Sequence, residues 1–137
     1  MKPVYLLDTN IIIYFLRDSE STVIRKIQAI SPEELAVCSI VKAELFYGAA
    51  KSNNPVKSRK IQEAFLSHLV SFSFDDQAVD FYAQIRSNLE KKGAPIGGND
   101  LMIASIALAN NLILVTANTR EFSKVNELII ENWTVPI

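Results

Sequence analysis

The sequence predicts an α/β domain built on a mainly parallel sheet, and two patterns predict it. The apolar runs Val4 to Leu7, Leu35 to Cys38 and Leu112 to Val115 have no outward polar residue, as expected of strands covered on both faces. Between them lie longer stretches with helical spacing, so strands and helices alternate along the chain. Right-handed crossovers then bring the C-terminal end of every strand to one edge of the sheet, where such folds bind ligands.

Each element has its own signal. After the first strand, Asp8 or Thr9 caps a helix running to about Arg17. Glu20 to Ile30 has helical spacing, and Ser31-Pro32 breaks it. Ser39 caps a helix to about Ala50, and its apolar residues lie almost all round, which predicts a largely buried helix. Ser52-Asn53-Asn54-Pro55 forms a loop, and a further helix reaches about Leu69. A strand at Val70 to Phe74 and a helix over Asp76 to Lys92 follow, with Gly93 ending the helix. Asn99 caps a helix to Asn110. After the Leu112 strand come a helical turn near Arg120 to Ser123 and a last strand at Leu128 to Ile130.

A chain of 137 residues with neither repeat nor interdomain linker is expected to be one domain, residues 1–137. It can bury roughly two-thirds of its unfolded surface, enough for one core. The net charge of −1 argues against wholesale electrostatic coating of nucleic acid and leaves room for a local basic patch. Cys38 has no partner for an internal disulfide, which suits a reducing cytoplasm. Neither a signal peptide nor an apolar run near the ~20 residues of a membrane span is present.

Against this background three acids stand out. Asp8, directly after the first strand, falls on the binding edge, although it could serve only as a helix cap. Glu44 shares the helix Ser39 to Ala50 with a single other charge, Lys42, and a buried carboxylate must be paired, protonated or bound to a metal. Asp100 opens an apolar helix in which Asn99 already provides a cap, leaving its carboxylate free. Gly97-Gly98 before it permits close backbone approach, but no Gly-Lys-Ser/Thr follows to make a phosphate-binding P-loop. The segment VTANTREF adds Thr116, Asn118 and Glu121 at the same edge as Asp8. Carboxylates gathered in a low-dielectric cleft repel, and a cation relieves that repulsion. An oxygen-only set without His or Cys suits Mg²⁺, or Mn²⁺ in its place, and not Zn²⁺. Such an ion polarises phosphoryl oxygens and acidifies bound water, so a phosphate ester is the expected substrate. His68 and Cys38 lie elsewhere and are expected to take no part.

The stretches LLDTNIIIYF, KAELFYGAAKS, APIGGNDLMIASIALA and LILVTANTREFSKV, with the closing ENW, resemble in order the PIN-domain family, and more closely its VapC-type toxins. The resemblance implies a three-layer α/β/α sandwich with a central sheet of four to five strands, and a metal-dependent endoribonuclease. It places the metal on Asp8 and Asp100, with Glu44 as the third active-site acid. Where the family commonly has a fourth acid this chain has Asn118, with Glu121 nearby to replace the charge. Thr9, Asn10 and Thr116 are expected to orient the carboxylates. Metal-activated water would attack an RNA phosphodiester and leave a 5′-phosphate and a 3′-hydroxyl. Lys51, Lys57, Arg59 and Lys60, in a stretch without acids, are candidates for guiding the RNA backbone, or simply a solvated loop and helix start. The resemblance also implies tRNA as a target, a homodimer, and an antitoxin whose C-terminal tail blocks the active site.

Other classes fit less well. A haloacid-dehalogenase-like phosphatase needs Asp-x-Asp where this chain has Asp8-Thr9-Asn10. A receiver domain needs an acidic pair before its phosphorylated Asp, where Lys2-Pro3-Val4-Tyr5 stands here. A non-catalytic PIN-like module that binds RNA or protein is the remaining alternative, and such a module would be expected to have lost one of the three acids.

Overall fold

A computed structural model describes residues 2–136. In chain order the elements are β1 (Tyr5–Leu7), α1 (Thr9–Leu16), α2 (Ser21–Ala29), β2 (Leu35–Cys38), α3 (Ser39–Ala50), α4 (Pro55–Leu66), β3 (Val70–Phe72), α5 (Asp76–Lys91), α6 (Gly98–Ala109), β4 (Ile113–Val115), α7 (Thr119–Phe122) and β5 (Ile130–Glu131), with a 3-10 turn at Pro32–Glu34 before β2.

The five strands are all parallel and lie in the order β3-β2-β1-β4-β5. Tyr5 lies opposite Leu35 on one side and Ile113 on the other, and Leu7 lies opposite Val115. The chain winds outward from β1 to β3, crosses back to β4, and continues to β5. With right-handed crossovers, that reversal moves the connecting helices from one face of the sheet to the other. The helix contacts agree: α3 packs on α1 and α4, while α6 packs on α5 and α7. The result is the three-layer sandwich, with the topological switch between β1 and β4.

The strands are short, and the central ones are covered on both faces, whereas the edge strand β3 is largely exposed. Leu6, Leu7, Ala36, Val37, Leu114 and Val115 are all inaccessible to solvent, which explains their unbroken apolar runs. Trp133, beyond β5, is also buried, with its ring edge-on to Tyr5 at 5.2 Å. Among the described residues no helix is long and apolar enough to cross a membrane.

Four local expectations are corrected. The cap of α6 is Gly97, and Asn99 lies inside the first turn with its side chain directed elsewhere. Cys38, not Ser39, occupies the cap position of α3 and makes no side-chain cap bond. That helix is not buried all round: Val41, Leu45 and Ala49 face inward, whereas Ala43 and Tyr47 are exposed. The last strand forms at Ile130–Glu131, because the Thr116 amide beyond β4 finds its acceptor at the Glu131 carbonyl, 3.0 Å away.

Candidate functional site

Strands β1 and β4 end side by side, and their first following residues meet. The Asp8 amide donates to the Val115 carbonyl at 2.9 Å, continuing the ladder one residue past β1. Asp8 caps α1, its Oδ1 accepting from the Thr9 amide at 2.9 Å. Its Oδ2 accepts from Thr116 Oγ1 at 2.7 Å. Thr116 is fully buried and Asp8 only 6% exposed, so this bond is shielded from water. The Asn118 amide in turn donates to Thr116 Oγ1 at 2.9 Å, which aims the hydroxyl proton at Asp8.

Two helices bring the other acids to this edge. Glu44 projects from α3, and its Oε1 accepts from Thr9 Oγ1 at 2.6 Å. Its Oε2 receives a longer contact from Asn99 Nδ2 at 3.4 Å. Asp100 lies in the first turn of α6, and its Oδ2 accepts from Asn118 Nδ2 at 3.3 Å. Thr9 and Asn118 thus cross-link elements that are distant in sequence. Asn118 stands at the cap position of α7 but makes no side-chain cap bond; its Nδ2 donates to Asp100 instead.

The electrostatics are those of crowded negative charge. Burial, followed by the charges of Asp8, Glu44 and Glu121, pushes the Asp100 carboxyl up to about 6. Burial also raises Asp8, against the lowering effect of its bonds from Thr116 and Thr9, and the Glu44 charge raises it further. Among the described residues the ion pairs are Arg59–Glu63, Arg86–Glu90 and Lys124–Glu121, so none of Asp8, Glu44 and Asp100 has a Lys or Arg partner. Glu121 is partly neutralised by Lys124 at 3.0 Å and acts on Asp100 at longer range.

The donor set is oxygen alone, Asp8 and Asp100 are raised by burial and then by neighbouring acids, and among the described residues no side-chain cation relieves them. That chemistry fits a hard divalent ion. Among the described residues no three of His, Cys, Asp and Glu converge tightly enough to enclose an ion unaided. An ion that keeps several of its waters, as Mg²⁺ does, suits such an open arrangement.

Most of the candidate residues therefore gather at one edge: Asp8, Glu44, Asp100, Thr9, Thr116 and Asn118, with Glu121 at the margin. Asn10 does not join them; it is exposed on α1 and makes no side-chain hydrogen bond among the described residues. The basic stretch divides. Lys51 ends α3 with its Nζ 4.6 Å from the centroid of the Tyr47 ring. Arg59 on α4 stacks on Phe46 at 3.6 Å and pairs with Glu63, while Lys57 and Lys60 are exposed on the same helix. His68 is exposed and away from the acids. Burial raises the Cys38 thiol to about 11, so it is unreactive at neutral pH. Sequence reading missed Asn99 and Lys124 as partners of Glu44 and Glu121. The available signals were Asn99's place beside Asp100 and the i,i+3 spacing of Glu121 and Lys124.

A parallel sheet with a carboxylate at its switch point, joined there by acids from two helices, defines an α/β domain with an acidic cleft at the carboxyl edge of its sheet. The PIN domain family model matches residues 5–128, and the chain belongs to that family. Over 131 residues it is 39% identical to "Ribonuclease VapC2" of Rickettsia felis, covering 95% of this chain and 98% of that protein. Over 130 residues it is 35% identical to the "tRNA(fMet)-specific endonuclease VapC" of Shigella flexneri, covering 95% and 98%. Among solved structures, VapBC2 from Rickettsia felis bound to a promoter DNA fragment superposes with a TM-score of 0.88 at 38% identity, over 95% of this chain and 98% of that one.

Proposed function

We propose that this protein is a divalent-cation-dependent endoribonuclease, the toxin of a toxin–antitoxin pair, with tRNA as its substrate. The observation that carries the reading is the gathering of Asp8, Glu44 and Asp100 at one edge without a neutralising Lys or Arg, where burial, and then neighbouring negative charge, raises the carboxyls of Asp8 and Asp100. Membership of the PIN domain family and full-length similarity to proteins named as VapC ribonucleases support it.

Asp8, Asp100 and Glu44 would hold Mg²⁺, or Mn²⁺ in its place. A bound cation of this kind stabilises charge on phosphoryl oxygens and acidifies water at neutral pH. The protein's contribution is to hold the oxygens that meet it. Thr116 fixes one oxygen of Asp8, and the α1 terminus fixes the other. Thr9 fixes Glu44, and Asn118 fixes Asp100 while aligning Thr116. Burial and the neighbouring acids raise Asp100, and a bound cation would lower it again by favouring the carboxylate. Glu121, where other chains of this type carry a further acid nearby, adds negative charge at the margin of the site, moderated by Lys124.

The partner is an antitoxin, as in the VapBC complexes of similar fold, and its C-terminal tail occludes the carboxylates. An arginine on that tail would satisfy the uncompensated charge. The toxin acts as a homodimer. The decisive experiment incubates purified protein with bulk tRNA in Mg²⁺ or EDTA, beside Asp8→Ala and Asp100→Ala. The expected result is cleavage that requires the metal and disappears in both variants. Cleavage that survives EDTA, or RNA binding without cleavage in either metal, would overturn the reading, the latter in favour of a binding module.

A further inference from the structure

We infer that the groove beside α3 is a subsite for one unpaired nucleotide of the RNA, its base on Tyr47 and its phosphate on Lys51; the inference rests on the ribonuclease reading above. Helical spacing places Glu44, Tyr47, Gly48 and Lys51 along one side of α3. At the α-helical rise, Tyr47 stands about 4.5 Å and Lys51 about 10.5 Å along the axis from Glu44. The groove therefore starts at a carboxylate of the site and runs away from it. Its volume is about 460 Å³, and Arg17 from α1 and Ile61 from α4 line its other wall.

Its chemistry is that of single-strand recognition. Tyr47 is 66% exposed, an aromatic face that the fold leaves open. Lys51 Nζ lies over one face of that ring, 4.6 Å from its centroid, so a base stacking there displaces the ammonium toward the base's own phosphate. Aromatic faces take unpaired bases of any sequence, and Lys or Arg beside them holds the adjoining phosphate. Arg17 supplies a second positive charge in the same groove.

Gly48 is a separate observation. It lies within α3, where glycine weakens a helix relative to alanine. A Cβ built there would meet nothing within 4 Å, and the residue needs no left-handed backbone. Neither backbone conformation nor close packing within this chain requires a glycine at this position. A ligand that must approach the helix backbone between Tyr47 and Lys51 does.

The test measures binding of a fluorescent single-stranded RNA oligonucleotide to the full chain in EDTA, and then KM and kcat for RNA cleavage in Mg²⁺. Tyr47→Leu should weaken binding about tenfold and raise KM with kcat retained, while Tyr47→Phe binds as the parent does. Lys51→Gln should reduce the slope of log affinity against log salt by about 0.7, the value of one phosphate on a single strand. Gly48→Ala should raise the melting temperature and still weaken RNA binding. Unchanged RNA affinity and KM in Tyr47→Leu, in a parent protein that cleaves RNA, overturns the subsite alone. So does loss of the antitoxin from Tyr47→Leu with RNA affinity intact, which would make the groove a protein interface. A parent protein that neither binds nor cleaves RNA overturns the ribonuclease reading and this inference with it.

Discussion

Replacing Asp100 with asparagine should stabilise the metal-free protein at neutral pH, although it removes a residue of the proposed active site. The Asp100 carboxyl rises from 3.8 to about 6 on folding, through burial and the charges of Asp8, Glu44 and Glu121. The folded state therefore holds this proton to higher pH than the unfolded state. Its stabilising contribution is full below the unfolded value and is lost as pH rises through the folded value, leaving a constant cost above it. A shift of about two units corresponds to somewhat under 3 kcal/mol at most. The carboxylate is only about half buried, so solvent screening reduces this to about 1 kcal/mol. For a chain of this length that is a rise of about 3–5 °C in melting temperature. The amide introduced by Asp100→Asn could still accept from Asn118 through its own carbonyl, so the hydrogen bond now seen at 3.3 Å need not be lost. Melting in EDTA should show the variant above the parent near pH 7.5, with the gap closing as pH falls toward about 4. Adding Mg²⁺ should raise the parent more than the variant and so narrow or reverse the order. A variant no more stable than the parent in EDTA at neutral pH would refute the account of a carboxyl raised by burial and neighbouring charge. A gap independent of pH would refute it equally.

Three other outcomes follow from the same geometry. Thr116→Val removes the 2.7 Å donor to Asp8 at a fully buried position and should cost about 10–100-fold in metal affinity or cleavage rate, read by Mn²⁺ titration beside kinetics. Asn118→Asp replaces a donor to Asp100 with a fourth negative group; melting in EDTA should fall, and the increment on adding Mg²⁺ should exceed the parent's. Trp133→Ala empties a site that is 2% exposed and packed on Tyr5, and should lower stability by about 3–5 kcal/mol in urea unfolding.

How much of this was legible beforehand differs from feature to feature. The strands announced themselves because burial on both faces leaves no polar residue in Leu35–Cys38 or Ile113–Val115. Asp8 could be placed because it directly follows such a strand, and strand ends share an edge. The exposed side of α3 was not legible: apolar residues surround the helix, and only the packing of α1 and α4 determines that Tyr47 stays outside. The role of Asn99 was hidden for a similar reason. A helix-capping residue beside an acid reads as a cap, and its contact with Glu44 crosses 55 residues. Local pattern carries no information about such a separation. The position of β5 depended on a partner too, since Leu128 is buried without being in a strand while Glu131 pairs with β4.

The hydrogen bond between Thr116 and Asp8 joins residues 108 positions apart. Nearly the whole chain must leave the ribosome before these two groups can touch. At a synthesis rate of about 5–20 residues per second, the first strand pairs with β2 early but waits about 5–20 seconds for β4. A growing or truncated chain that stops short of β4 holds Asp8 without the hydroxyl that orients it. Completion of the acidic edge is thereby tied, through the strand order, to completion of the chain.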